Sequence, residues 1–141
     1  MPEGIEAEIY RRAAVAVVGR RIESVVVDAQ QVMAAELERE LPGREVSGVD
    51  RHGKHVLLDL DDGRVLGLHF GMTGRLIVDD ASAIDRLEYA SGRDDPAWNR
   101  LVIGFDGGTS LRVNDPRRWA TFTLDPDLAM AVLGAADTNL R

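Results

Sequence analysis

Four short segments carry groups whose chemistry goes beyond packing. The first is Met1-Pro2-Glu3. Methionine ahead of a small residue such as proline is normally removed, which leaves Pro2 with a free secondary amine. A terminal amine has a reference pKa of roughly 7.7–8.0, so about a tenth of it is neutral and nucleophilic at pH 7. Glu3 and Glu6 lie within one helical turn of it. The same residues equally suit an ordinary helix start, where proline fits and acids favour the macrodipole.

The second segment is Asp50-Arg51-His52-Gly53-Lys54, a basic cluster with a glycine just ahead of a strand. It suits a phosphate, or simply a solvated turn. Of the 17 basic residues 16 are arginine, so Lys54 is the only lysine. A compact ammonium and a planar guanidinium are not interchangeable, so the lone lysine either marks a place that needs a point charge or is chance in an arginine-rich composition. In the third segment, His69-Phe70-Gly71-Met72-Thr73-Gly74-Arg75, two glycines bracket Met72 and Thr73 at a strand end. Such glycines allow a sharp turn and close backbone approach, which would push Met72 outward; the alternative is an ordinary core methionine. The fourth is Asn114-Asp115-Pro116-Arg117-Arg118-Trp119. Asp-Pro starts a turn, and two arginines beside a tryptophan can stack on a base or bridge phosphates. The alternative is a turn with solvated arginines and a core tryptophan. His52, His55 and His69 lack the spacing of a zinc or iron site, and no metal is expected.

Several elements must position these segments. Gly4 to Val18 reads as a helix with an apolar stripe at Ile5, Ile9, Ala13 and Val17, ended by Gly19. Ile22 to Val27 reads as a strand, Ala34 to Leu41 as a short helix and Glu45 to Val49 as a strand. From His55 the pattern is all β. His55–Leu60 and Arg64–Phe70 form a hairpin around Asp61-Asp62-Gly63, and Arg100–Phe105 and Thr109–Val113 form another. Arg75–Val78 and Trp119–Leu124 are further strands, residues 79–97 a surface connection, and residues 127–133 the start of a helix. The expected fold is mainly β with flanking helices: a two-layer sandwich of seven or eight strands with an N-terminal helix across it.

Composition narrows the function. The chain has 141 residues, enough for one domain with a core. Its net charge of −7 excludes a nucleic-acid binder acting by bulk positive charge. It has no cysteine, hence no disulfide, thiolate zinc site or cysteine nucleophile. No apolar run approaches the roughly 18 residues of a membrane span, and no secretory signature opens the chain. The expected compartment is the cytoplasm, with no membrane partner.

Taken in order, Pro-Glu-Gly at the start, Arg-x-Gly-Lys, His-x-Gly-Met-Thr-Gly-Arg-Leu and Asn-Asp-Pro-Arg-Arg-Trp resemble the N-terminal domain of the formamidopyrimidine-DNA glycosylase and endonuclease VIII family. The resemblance implies a DNA base-excision repair enzyme that removes oxidised bases and then cuts the strand. Its partner would be double-stranded DNA with an oxidised base or abasic site, near the bacterial nucleoid. By resemblance, Pro2 is the Schiff-base nucleophile, Glu3 the proton-transfer acid, Glu6 a supporting acid and Lys54 a contact to the backbone phosphate. Met72, Arg117 and Trp119 correspond to the side chains that fill the gap left by a flipped nucleotide. Arg118 and Arg100 complete the expected DNA-binding set.

The match has departures. Gly4-Ile5 replaces the Leu-Pro of many family members, and Trp119 stands where phenylalanine is common. The start looks like the endonuclease VIII branch and the two later motifs like the formamidopyrimidine branch, so the preferred lesion stays open. Residues 1–134 are expected to form the catalytic sandwich and 135–141 to begin an interdomain linker. The family's second half, with its helix–two-turns–helix element and usual zinc finger, has no counterpart here. The chain is therefore expected to be a monomeric fragment or truncated form, weak or inactive alone, with no cofactor of its own. A catalytically incomplete DNA- or protein-binding module of the same fold is the competing expectation. An unrelated β-sandwich for a small or acidic ligand is a third, and it predicts no clustering of Pro2, Glu3 and Lys54.

Overall fold

The computed structural model describes residues 3–79, 81–82 and 95–125. The chain opens with helix α1, Glu3–Ala14, which tightens into a 3₁₀ turn over Val15–Val17. Strand β1, Ile22–Val27, leads to helix α2, Ala34–Glu40. Seven more strands follow: β2 (Val46–His52), β3 (His55–Leu60), β4 (Val65–His69), β5 (Arg75–Val78), β6 (Ala81–Ser82), β7 (Asn99–Phe105) and β8 (Ser110–Asn114). The last described strand is β9, Thr121–Asp125.

Two antiparallel sheets result, ordered β1-β7-β8-β5-β6 and β2-β3-β4-β9. Between them lies one apolar core, with Leu58, Leu66 and Leu68 on one side and Leu101, Ile103, Leu111 and Val113 on the other. The sandwich with an N-terminal helix is thus as expected, but the described residues hold nine strands rather than seven or eight: the short β6 lies in what was expected to be a surface connection. Both hairpins form where the turn residues stand: β3 pairs β4 with His55 opposite His69, and β7 pairs β8 around Asp106–Gly108. Strand β2 runs three residues further than expected. It pairs with β3 up to His52 opposite His55, so Gly53-Lys54 is a two-residue turn. The expected helix at 127–133 and the linker at 135–141 lie outside the described residues, as does most of the 79–97 connection.

One expectation is corrected. The buried face of α1 and its 3₁₀ extension is Ala7, Tyr10, Ala14 and Val17, not Ile5, Ile9, Ala13 and Val17. Ile5 is 51% exposed, Ile9 and Ala13 are half-buried, and only Val17 of the expected stripe is buried. At about 100° per residue, a strict i+4 series drifts by about 40° per step around the helix. Steps of three and four alternate about one direction and hold a single face. Tyr10 then decides which face is inward. Its ring lies 4.6 Å from that of Phe70, its hydroxyl reaches the Gly74 carbonyl, and the small Ala7 and Ala14 flank it. Helix α2 buries Ala34 and Leu37, and its Glu38 accepts a hydrogen bond from the Val27 N–H at the end of β1.

Candidate nucleic-acid site

Glu6 and Lys54, 48 positions apart, line one cleft together with Ala7, Tyr10, His69, Phe70 and Gly71. Glu6 comes from the first turns of α1 and Lys54 from the tip of the β2–β3 hairpin. A clamp holds these two elements together. The Glu8 carboxylate accepts from Arg11 (2.7 Å), Arg12 (3.0 Å) and Arg51 (3.2 Å). Arg51 in turn donates to the Gly53 carbonyl at 2.8 Å, directly before Lys54. The hydrogen bonds from Arg11, opposed by partial desolvation and helped by Arg12, hold the Glu8 carboxyl down at about 2. Pro2 lies outside the described residues. Glu3 is in α1, at its first position.

His69 was not among the expected site residues, yet it lines the cleft. Its ring is 5.0 Å from that of His55, its partner across the β3–β4 pair. Burial first, then the neighbouring His69 and His52, push the His55 imidazole below the usual histidine range. The pairing was legible in the hairpin register, but the opening of the cleft onto His69 was not. Among the described residues no three metal-ligating side chains converge.

Two loops border the cleft on the Gly71 side. The β4–β5 turn carries Met72, 43% exposed, and the β8–β9 loop carries Trp119, 45% exposed. They touch at Gly71. A Cβ there would sit 2.7 Å from the Trp119 Cβ, and φ is +64°, so only glycine fits. The Arg117 guanidinium lies over the Trp119 ring at 5.1 Å from its centroid. Met72, Arg117 and Trp119 are therefore neighbours on exposed turns, and Trp119 is not a core residue.

A carboxylate that sequence reasoning treated only as a turn starter organises both loops. Asp115 is fully buried. Its carboxylate accepts from the Thr73 hydroxyl, from the Arg117 N–H at 3.0 Å and from the Ala120 N–H at 2.7 Å. Its N–H donates to the Trp98 carbonyl, and its own carbonyl accepts from Arg100 Nε at 2.7 Å. The available signal was an aspartate beside proline with N–H groups two and five positions on, a loop-closing arrangement for a short side chain.

The two remaining arginines divide. Arg100 departs from its expected role at a DNA surface: its side chain is only 4% exposed and is spent on the Asp115 carbonyl and the Asp28 carboxylate. Interior strand position and three oxygen partners, the Ala97 carbonyl at 3.4 Å being the third, make it a brace. Arg118 is exposed, with φ of +55°, and its Nε donates to the same Asp28 oxygen at 2.6 Å. Burial alone would raise the Asp28 carboxyl. Hydrogen bonds from Arg118 and the Gln30 N–H, with the charges of Arg118 and Arg100, outweigh it and hold the group below the usual carboxylate range.

These elements make a mainly β, two-sheet domain in which a lysine-bearing hairpin opens onto a cleft bordered by two exposed loops. The family described as the formamidopyrimidine-DNA glycosylase N-terminal domain matches residues 1–122, and the chain belongs to it. It is 34% identical over 143 residues to a formamidopyrimidine-DNA glycosylase of Xanthomonas axonopodis pv. citri, covering 95% of this chain and 49% of that protein. It is 32% identical over 136 residues to that of Azorhizobium caulinodans, covering 89% and 45%. The chain thus spans about half the length of these relatives. In fold it resembles the Lactococcus lactis formamidopyrimidine-DNA glycosylase bound to DNA containing an AP site, with a TM-score of 0.70 at 24% identity over 92% of this chain and 47% of the other. The same protein with a FAPY-dG-containing DNA gives a TM-score of 0.71 at 23% identity, covering 92% and 47%. Among the described residues no helix is long and apolar enough to cross a membrane.

Proposed function

We propose that this chain is the nucleophile-bearing half of a cytoplasmic DNA glycosylase and AP lyase acting on oxidised bases in duplex DNA. One observation carries the reading: Glu6 and Lys54 share a cleft whose Gly71 wall touches the exposed Trp119. A nucleotide turned out of the stack would enter the cleft, while Met72, Arg117 and Trp119 fill the space it leaves.

The chemistry then falls to the chain's own groups. With Met1 removed, the Pro2 nitrogen lone pair attacks C1′ of the damaged nucleotide. The N–C1′ bond forms, the glycosidic bond breaks, and the base leaves with its bonding electrons and takes up a proton. The Pro2 nitrogen gives its own proton to the departing base, and a protonated Glu3 delivers a second proton to the ring oxygen as the C1′–O4′ bond breaks and the nitrogen lone pair closes the C1′ iminium. A secondary amine suits the next step because its iminium is permanently cationic and accepts the electrons released when the C2′ proton departs. The 3′ phosphate is expelled first and the 5′ phosphate second. Lys54 holds a backbone phosphate through a charge-assisted hydrogen bond. Glu6 supports the cleft beside it. Arg118 is engaged by Asp28, which leaves Arg117 as the arginine of the Trp119 loop that faces the DNA.

Borohydride trapping on a duplex with a central abasic site tests the reading. Protein with Pro2 exposed is expected to form a covalent adduct, and protein with Met1 retained is expected to form none. DNA binding without any adduct would make the chain a binding module of the same fold. Neither binding nor adduct would overturn the DNA reading.

A further inference from the structure

The loop between β1 and α2, residues 28–33, is bonded to the Trp119 loop at two points. The Asp28 carboxylate accepts from Arg118 Nε at 2.6 Å, and Gln31 Nε2 donates to the Ala120 carbonyl at 3.1 Å. These partners flank Trp119 on both sides. The loop is also internally ordered: Gln30 N–H donates to the Asp28 carboxylate and Gln31 N–H to the Asp28 carbonyl. At its tip Val32 is fully exposed, and Gln30 beside it is exposed too.

A single exposed valine is ordinary. Its place is not. It stands on a loop stitched to the one loop that already presents an exposed tryptophan. The loop's only acid, Asp28, is spent on Arg118 and Arg100, so the segment carries no uncompensated negative charge in a chain of net −7. Glutamine amides read base edges in the minor groove, and apolar side chains often pack into it beside such polar groups. A neutralised surface is what a phosphate backbone tolerates.

We propose that residues 28–33 form a third DNA-contacting element, with Val32 and Gln30 meeting the duplex beside the step that Trp119 enters. This deepens the reading of the chain as a DNA-binding domain and rests on it. Asp28 and Gln31 are positioning residues, since they set the loop against Trp119 rather than touch the DNA.

The test uses the 141-residue chain and a short fluorescent duplex with a central tetrahydrofuran, an abasic analogue that cannot form the imine. Anisotropy is titrated at low salt. Val32→Glu is expected to weaken binding about five- to tenfold, and Val32→Lys to tighten it with a salt slope steeper by about one. Because Val32 is fully exposed, neither change disturbs packing. Ser47→Glu and Ser47→Lys, exposed at the end of β2 remote from Lys54, lose only a long hydrogen bond to the Asp59 carbonyl (3.3 Å) that both variants lose alike, so the difference between them reports the effect of net charge. If the Val32 and Ser47 pairs change binding equally, or not at all while Trp119→Ala weakens it, the third element is overturned and the DNA reading stands. If the unaltered chain binds no duplex at low salt, both fall.

Discussion

The Thr73 hydroxyl donates to the buried carboxylate of Asp115, and this bond ties the turn that carries Met72 to the loop that carries Trp119. The same carboxylate closes its own loop through the N–H groups of Arg117 and Ala120. One fully buried acid therefore sets the spacing of the exposed side chains above the cleft.

Removing that acid is expected to be costly. Asp115→Ala leaves a hydroxyl and two N–H donors buried or half-buried without their acceptor, at about 1–3 kcal/mol for each group left unsatisfied. A loss of about 3 kcal/mol or more is expected, read as a lower urea midpoint at unchanged slope. Thr73→Val should cost about 1–2 kcal/mol, and Thr73→Ser should recover most of it. An Asp115→Ala protein as stable as the parent would refute the hub.

Gly71 tests the contact between the loops. Gly71→Ala places a Cβ 2.7 Å from that of Trp119 and forces alanine into positive φ. A stability loss of about 1–3 kcal/mol is expected from backbone strain alone. Displacement of the ring should also shift the tryptophan emission. Unchanged stability together with unchanged emission would mean that the loops do not touch in solution.

Lys54 tests the cleft. Lys54→Ala is expected to lower strand cleavage, in the longest active form of the protein, on the order of ten- to a hundredfold. That follows from losing a charged hydrogen bond of roughly 1.5–3 kcal/mol. Lys54→Arg should recover only part, because it keeps the charge but not the position. Full activity in Lys54→Ala would remove the phosphate role.

The Glu8 clamp predicts an acid-sensitive link between α1 and the lysine hairpin. The folded carboxyl sits at about 2, below its ordinary 4.5. A depressed folded pKa contributes stability that is fully present above the unfolded value. That stability is lost as pH falls from 4.5 towards 2. Glu8→Gln is expected to flatten the stability profile across that window and leave its shape above pH 5 unchanged. An identical acid limb in the variant would show that Arg11 and Arg12 do not hold this carboxylate in solution.

The chain's local chemistry determined its hairpins. Asp61-Asp62-Gly63 and Asp106-Gly107-Gly108 set their turns through residues adjacent in sequence, so β3–β4 and β7–β8 were legible without a structure. The lone lysine, the bracketed Met72 and the Arg-Arg-Trp run were legible for the same reason, since residue type and spacing are local facts. The tertiary structure decided what depends on a distant surface. Which face of α1 is buried was settled by Phe70 and Gly74 meeting Tyr10, not by the helix's own periodicity. Arg100 became a brace because Asp28 and Asp115, 72 and 15 positions away, supply its oxygens. Asp115 became a hub only when Thr73, 42 positions earlier, reached it. Burial of a charge is stable only with partners, and partners separated by tens of residues are brought together by the fold of both sheets, which no local pattern encodes.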